Sequence, residues 1–123
     1  MSIKYTADHE WIEVNGDIAT VGITVHAQDA LGDIVFVDLP AVGKTLAEKE
    51  VAGVVESVKA AADVYMPVSG EIVEVNEGLR DEPALANTDP LKTGWFFKVK
   101  LSNPAELGAL MDATAYDALL KSL

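Results

Sequence analysis

Cysteine is absent from the sequence, and only two histidines are present. Without thiols the chain cannot form disulfides, iron–sulfur ligation, thiolate zinc sites or a cysteine nucleophile. His9 and His26 have no serine or carboxylate at the spacing of a known catalytic motif, and two imidazoles cannot make a histidine-rich metal centre. We therefore expect no catalytic residues and no metal site, and we assign both histidines to structural roles.

Basic residues are also scarce. Nine lysines and arginines stand against twenty carboxylates, which gives a net charge of −11. Such acidity opposes binding to nucleic acid and to anionic lipid. No apolar run approaches the ~18 residues that a membrane helix requires, and the start Met-Ser-Ile-Lys has no signal-peptide core. We expect no nucleic-acid or membrane partner, a monomer, and a cytoplasmic location of the bacterial type without a targeting peptide.

Turn signals divide the first third of the chain into short strands. Asn15-Gly16 between two β-branched runs predicts a tight hairpin. Thr24 is placed to cap a short helix over residues 25–31, which Gly32 would end. Residues 33–39 then form the next predicted strand. The length of 123 residues is typical of one domain.

The middle of the chain continues the β pattern. Runs at 54–58, 64–66 and 70–75 are rich in β-branched residues at near-alternating positions. Residues 76–94 contain prolines, glycines and Asn/Asp, and predict an irregular connection with one helical turn. Residues 95–101 predict a late strand with its aromatic side chains in the core.

The C-terminus changes to a helical pattern. Asn103 is a candidate cap, Pro104 suits the first helical position, and Leu107, Leu110 and Met111 follow at helical spacing. A second helix is predicted to start at Thr114 or Ala115. We therefore expect a single domain over residues 1–123, mainly β, with helices at about 104–123 as a small cap.

One segment suggests chemistry. Lys59 stands at the start of an alanine-rich turn between two strand-like runs, and the nearest other lysines are Lys49 and Lys92. A lysine at a hairpin tip is ordinarily a solvated charge. It is also exposed to a modifying enzyme, and an amide on its nitrogen would remove the charge and lengthen the side chain into a tether. Spacing alone leaves both interpretations open.

The residues around Lys59 resemble the lipoyl-attachment hairpin of the glycine cleavage system H protein family, here over about 53–76. The likeness is carried by Glu56-Ser57-Val58-Lys59-Ala60, Asp63-Val64-Tyr65 and the run from Pro67 to Asn76. Other segments match in order: His9-Glu10-Trp11, Val21-Gly22-Ile23-Thr24, His26-Ala27-Gln28, Leu31-Gly32-Asp33, Val37-Asp38-Leu39-Pro40, Gly43, Asn87, Pro90 and Gly94-Trp95.

The resemblance implies a barrel-sandwich hybrid fold with lipoic acid in amide linkage to Lys59. Glu56, Ser57, Val58 and Ala60 complete the attachment motif. The lipoyl group would be attached by a lipoate ligase or a lipoyl/octanoyl transferase. The carrier would take the aminomethyl group of glycine from the pyridoxal-phosphate-dependent glycine decarboxylase to the tetrahydrofolate-dependent aminomethyltransferase. Dihydrolipoamide dehydrogenase would then reoxidise it, so the chain would be a carrier and no enzyme.

The family also shelters the loaded arm in a surface cleft. Glu10 and Asp63 match positions that line this cleft, and Asp8 stands where some members have serine. A carboxylate there would hold a protonated amine by a charge-assisted hydrogen bond. Support of a turn is the alternative role of Glu10 and Asp63. Ala30 replaces a histidine that reaches the arm in some members, so this position has no polar side chain to contact the arm.

Other functions remain open. The chain could relay lipoyl groups to other enzymes, or act as a binding module with an unmodified Lys59. Biotin carriage is disfavoured because Val58 and Ala60 replace the methionines that flank a typical biotinyl lysine. Catalysis by the isolated chain is the weakest hypothesis.

Overall fold

The computed structural model describes residues 2–123 and is mainly β, as the sequence predicts. Short strands dominate because the β-branched runs are separated by turns. The nine strands are β1 (Ser2–Tyr5), β2 (Glu10–Asn15), β3 (Ile18–Ile23), β4 (Ile34–Asp38), β5 (Thr45–Leu46), β6 (Val51–Ser57), β7 (Ala61–Tyr65), β8 (Gly70–Val75) and β9 (Phe97–Leu101).

The larger sheet has six strands in the order β1-β2-β3-β9-β8-β5, all antiparallel. The hairpin predicted at Asn15-Gly16 is confirmed, because Asn15 pairs with Ile18 and Gly16 takes a φ of 67°. That left-handed conformation is what a tight hairpin turn requires. Strands β1 and β5 lie at the two edges of the sheet and were not predicted.

The smaller sheet has the antiparallel order β4-β6-β7. Strand β4 contains a bulge, since Ile34 pairs with Ser57 whereas Phe36 pairs with the adjacent Glu56. Val35 is therefore the extra residue. The bulge changes the alternation of β4, so that both Val35 and Phe36 are exposed between the buried Ile34 and Val37.

Both sheets contribute to one hydrophobic core. Ile12 and Val21 come from the larger sheet, Val55 and Val64 come from the smaller one, and all four are buried. Phe96 and Phe97 are buried with them, which confirms two of the three aromatic residues predicted for the core; Trp95 is half-buried. This shared core holds the smaller sheet, and the turn between β6 and β7, in a fixed position.

Helix α1 (Val25–Leu31) confirms its predicted boundaries. The Thr24 side chain accepts a hydrogen bond from the backbone N–H of Ala27, and Gly32 ends the helix with a φ of 77°. A side-chain cap and a terminal glycine satisfy the two ends of a helix in this way.

The connection between β8 and β9 is more helical than predicted. It contains α2 (Gly78–Asp81) and α3 (Leu85–Thr88), where one turn was expected. Buried Leu79 and Ala86 anchor these short helices in the core. Tertiary contact therefore stabilises turns that local sequence pattern does not favour.

The C-terminal helices and the position of Pro104 are confirmed, and the structure differs from the prediction in detail. Residues Pro104–Ala109 form a 3₁₀ helix, and Asn103 makes no capping hydrogen bond with its side chain. The 3₁₀ helix ends at Leu110, because Met111 pairs with Tyr5 through two backbone hydrogen bonds. Helix α4 (Ala113–Lys121) starts before Thr114 or Ala115, since Asp112 accepts from the N–H of Ala115 and caps it.

Candidate functional site

Lys59 lies in a four-residue turn that joins β6 to β7. Glu56 pairs with Ala61 at the base of this turn. The Ser57 hydroxyl accepts hydrogen bonds from the N–H groups of Lys59 and Ala60, at 3.2 and 3.1 Å, and donates to the Ala60 carbonyl. The backbone N–H of Ser57 donates to the same carbonyl. One serine thus organises the turn, because it satisfies backbone groups that the strands leave unpaired.

The turn is fixed to the end of helix α1. The N–H of Val58 donates to the carbonyl of Asp33 at 3.0 Å. The Lys59 side chain passes over Gly32, where an added Cβ atom would lie 3.3 Å from Cε of the lysine. Glycine is favoured at this position by the positive φ of 77°, and an added Cβ atom would also require the lysine stem to shift slightly.

Asn87 of α3 is hydrogen-bonded to the segment between α1 and β4, which contacts the Lys59 turn. Its amide oxygen accepts from the N–H of Ile34 at 2.8 Å, and its amide nitrogen donates to the Gly32 carbonyl and to Gln28. The side chain therefore connects three elements, α1, β4 and α3. Such a network holds the base of the Lys59 turn in a single arrangement.

The amine of Lys59 is available for chemistry. The side chain is exposed, and the three ion pairs found within residues 2–123 involve other basic residues. Alanines at positions 60 and 61 leave the surroundings open on one side. A primary amine presented in this way on a rigid turn fits an acyl group in amide linkage, which would extend outward from the turn.

A second feature is a cavity of about 360 Å³ on another part of the surface. Asp8 and Glu10 line it, together with Lys49. Neither Lys59 nor Asp63 belongs to its lining. Glu10 bonds to the N–H of Tyr65, which is four residues along β7 from Ala61 and hence ~13 Å from the turn.

Glu10 is the buried carboxylate of this cavity, with 2% of the residue exposed. Its two oxygens accept hydrogen bonds from the Thr6 hydroxyl and from the N–H of Tyr65, at 3.0 and 2.8 Å. Burial raises the pKa of Glu10 from 4.5 to about 7, and the nearby Asp8 adds to the rise, while the two hydrogen bonds and Lys49 oppose it. Glu10 thus ties β2 to β7 and titrates near neutrality.

The remaining predicted cleft residues lie apart from Glu10. Asp63 is exposed on the smaller sheet, where it pairs with Val54. Ala30 is exposed on α1, two residues before Gly32, over which the Lys59 side chain passes. The structure therefore brings Asp8 and Glu10 together, and it places Asp63 and Lys59 on the β6–β7 hairpin.

The two histidines belong to a cluster that fixes α4. The Nδ1 atom of His9 lies 2.9 Å from the hydroxyl of Tyr116, which lies 2.7 Å from the hydroxyl of Thr24. The rings of His9 and His26 are 4.5 Å apart. Burial lowers the pKa of His9, and His26 lowers it further, while Asp8 raises it. These contacts agree with the structural roles assigned to both histidines.

One feature near Lys59 gave no signal in the sequence. The run Ile34-Val35-Phe36-Val37 has the composition of a buried strand, so nothing in it predicts a bulge or the exposure of Val35 and Phe36.

Within residues 2–123, no helix is long and apolar enough to span a membrane. The same part of the chain contains no cluster of three or more histidine, cysteine, aspartate or glutamate side chains that could hold a metal ion.

Comparisons with known proteins agree with this architecture. A family model described as "Glycine cleavage H-protein" matches residues 3–123. The glycine cleavage system H protein of Laribacter hongkongensis is 58% identical over 116 residues, which cover 94% of this chain and 91% of that protein. The protein of the same name from Chromobacterium violaceum is 61% identical over 115 residues, covering 93% and 90%.

A solved structure shows the same fold. The crystal structure of a glycine cleavage system H protein from Mycobacterium marinum superposes with a TM-score of 0.89 at 44% identity, covering 99% of this chain and 98% of that one. The expectation of a lipoyl-domain-like barrel-sandwich hybrid with short helices is thereby confirmed. From the family match and these relatives, the chain belongs to the glycine cleavage H-protein family.

Proposed function

We propose that the chain is the lipoylated carrier of the glycine cleavage system, with the lipoyl group in amide linkage to Lys59. The observation that carries this proposal is the exposed amine of Lys59 on a turn fixed by Ser57 and Asn87. Family membership supplies the system in which the carrier would work. Residues 1–123 would act together as one carrier domain.

Attachment requires only that the amine be reached in its neutral form. The nitrogen of Lys59 attacks the carbonyl carbon of an acyl adenylate or acyl thioester. The new C–N bond forms as the bond to AMP or to the thiol breaks, and a proton leaves the nitrogen. We assign this step to a lipoate ligase or a lipoyl/octanoyl transferase, because the chain offers the amine but no group to activate the acid.

The bound group would supply thiol–disulfide chemistry, which a chain without cysteine cannot provide itself. The chain's own contribution is positional. The turn anchors one end of the tether, and the shared core of the two sheets prevents the anchor from moving. In this proposal the aminomethyl group passes from glycine decarboxylase to aminomethyltransferase, and dihydrolipoamide dehydrogenase restores the carrier, which has no catalytic role.

The cavity beside Glu10 is a proposed shelter for the loaded end of the arm. Asp8 is the freer acceptor for a protonated amine, since both oxygens of Glu10 already accept hydrogen bonds. Asp63 would act elsewhere along the path of the arm, because it lies outside the cavity lining. We further propose a cytoplasmic location, on the ground that the similar proteins come from bacteria.

The test is intact mass and peptide mapping after incubation with lipoate, ATP and a purified lipoate ligase. We expect a lipoyl increment on the peptide that contains Lys59, and its loss in Lys59→Arg. Lys92→Arg is the matched control, because Lys92 is also an exposed loop lysine. An unmodified wild-type chain, under conditions that modify a known lipoyl domain, would refute the proposal.

Reconstitution separates the glycine-cleavage role from a lipoyl relay. The lipoylated chain is combined with glycine decarboxylase, aminomethyltransferase, dihydrolipoamide dehydrogenase, tetrahydrofolate and NAD. Carbon dioxide release from labelled glycine should depend on this chain and disappear with Lys59→Arg. A lipoylated chain that supports no release would contradict the carrier role while leaving the attachment site established.

A further inference from the structure

The bulge in β4 creates an exposed apolar patch beside the Lys59 turn. Val35 and Phe36 are 55% and 50% exposed, and Val58, next to Lys59, is 67% exposed. A regular strand would have turned one of the two β4 side chains inward. Bulges that re-aim side chains in this way are concentrated next to functional sites.

The patch continues onto the outer face of the smaller sheet. Residues directly opposite one another in a sheet share a face. One such row contains Phe36, Glu56 and Ala61, and the next row on the same face contains Asp38, Val54 and Asp63. Each strand therefore places one carboxylate there.

No positive charge balances these carboxylates within the sheet. Strands β4, β6 and β7 contain no lysine or arginine. Lys59, in the turn, is the nearest basic residue in sequence to β7 and to the end of β6, whereas Lys44 and Lys49 are the nearest to β4 and to the start of β6. The face thus combines exposed apolar side chains with a carboxylate on each of its three strands, and a complementary partner would present an apolar depression beside basic groups.

The position of the patch relative to Lys59 determines which partner must cover it. Val58 is hydrogen-bonded to Asp33, just before β4, and lies two residues beyond Glu56, the partner of Phe36. The patch thus begins within ~7 Å of the backbone at Lys59. Any enzyme that forms a bond to Nζ must come within four methylene groups of that backbone, which brings it next to this patch.

Enzymes that use the completed arm have no such requirement. They act beyond an additional eight-carbon acyl chain and can reach its end without touching the turn. We propose that Val35, Phe36 and Val58, with the neighbouring carboxylates Asp38 and Glu56, are the docking surface for the enzyme that acylates Lys59. This inference rests on the proposed function, because it presupposes that Lys59 is acylated.

The experiment measures acylation rates by intact mass, using lipoate, ATP and purified lipoate ligase. Phe36→Ser is expected to lower kcat/KM for the protein substrate about tenfold, mainly through KM, as truncation of an apolar anchor does. Leu91→Ser is the matched control, because Leu91 is also 50% exposed but lies far along the chain from the turn, and its rate should stay within twofold of wild type.

A second variant tests the carboxylates of this face and does not depend on the packing of Phe36. Asp38→Asn should slow acylation at low ionic strength and make the rate less sensitive to salt. Glu71→Gln, an exposed carboxylate on β8 in the other sheet, should leave both properties unchanged. Circular dichroism and urea midpoints matched to wild type establish that each variant is folded.

A third measurement separates acylation from later use of the arm. Phe36→Ser, loaded to completion by prolonged incubation and checked by mass, should be reduced by dihydrolipoamide dehydrogenase and NADH at the wild-type rate. Wild-type acylation rates in both Phe36→Ser and Asp38→Asn would overturn the docking surface alone. Equal slowing of acylation and reduction would overturn its assignment to the acylating enzyme. Failure to modify wild-type Lys59 would remove the proposed function and this inference together.

Discussion

At the scale of single residues, Glu10 is a buried carboxylate whose two oxygens both accept hydrogen bonds. One oxygen accepts from the Thr6 hydroxyl. The other accepts from the N–H of Tyr65, and this second bond connects β2 with β7. Burial nevertheless raises its pKa to about 7, because two hydrogen bonds replace only part of the lost hydration. A group whose pKa is raised by folding stabilises the fold below its unfolded pKa, and this contribution is lost as the pH rises through the folded pKa.

Replacement of Glu10 by Gln should therefore change the pH dependence of stability. The amide never ionises, and it can keep both contacts if its oxygen accepts from the Tyr65 N–H while its nitrogen donates to the Thr6 hydroxyl, which then acts as an acceptor. We expect the free energy of unfolding of Glu10→Gln, relative to wild type, to rise between pH 4.5 and pH 8 by up to about 3 kcal/mol. Urea unfolding at intervals of half a pH unit measures this difference. Glu13→Gln, on the same strand, should show a smaller trend, and a flat difference for Glu10→Gln would contradict the explanation.

At the scale of elements, Asn87 is the connection between α1, β4 and α3. Its replacement by alanine would leave the N–H of Ile34 and the carbonyl of Gly32 without their partners. We expect Asn87→Ala to lower the free energy of unfolding by about 1–3 kcal/mol, because two backbone groups lose their partners at partly buried positions where water replaces some of the loss.

Thr88→Ala is the control for that substitution, because the exposed Thr88 hydroxyl donates only to the Ala84 carbonyl of its own helix. Urea unfolding should place it within about 0.5 kcal/mol of wild type. Hydrogen exchange adds a local readout, since Asn87→Ala should speed exchange of the Ile34 and Val58 amides ahead of those in β2. Equal stability of the two variants would show that Asn87 does not hold the Lys59 turn.

Elements that local chemistry determines were predictable from the sequence. The Thr24 cap, the Gly32 stop and the Asn15-Gly16 hairpin all follow from side-chain and glycine properties within a few residues. The Asp112 cap carried the same kind of signal and was overlooked.

Elements that distant contacts determine were not predictable. Strand β1 is set by β2 and by the Tyr5–Met111 bridge, which also ends the 3₁₀ helix. The site divides in the same way. Lys59 and its turn residues form one contiguous motif, so the sequence predicts them. The separation of Asp63 from the Glu10 cavity depends on the contact between β2 and β7, which are distant in the sequence.

At the scale of the whole molecule, the dominant quantity is the net charge of −11. Within residues 2–123 the structure has three ion pairs, all between partly or fully exposed side chains. Exposed pairs contribute little, so most carboxylates repel one another without local compensation. The negative potential of these carboxylates would attract basic surfaces on partner enzymes. Their mutual repulsion also destabilises the folded state.

This repulsion predicts that salt stabilises the fold in a pH-dependent way. At pH 8, raising NaCl from 0.05 to 0.5 M should increase the free energy of unfolding, because screening weakens repulsion between charges that folding brings together. Near the isoelectric point of about 4.4 the net charge vanishes, and the same salt series should have a much smaller effect. Urea midpoints at both pH values measure the two slopes. Equal slopes would show that salt acts through apolar burial, since that effect does not depend on the protein's charge.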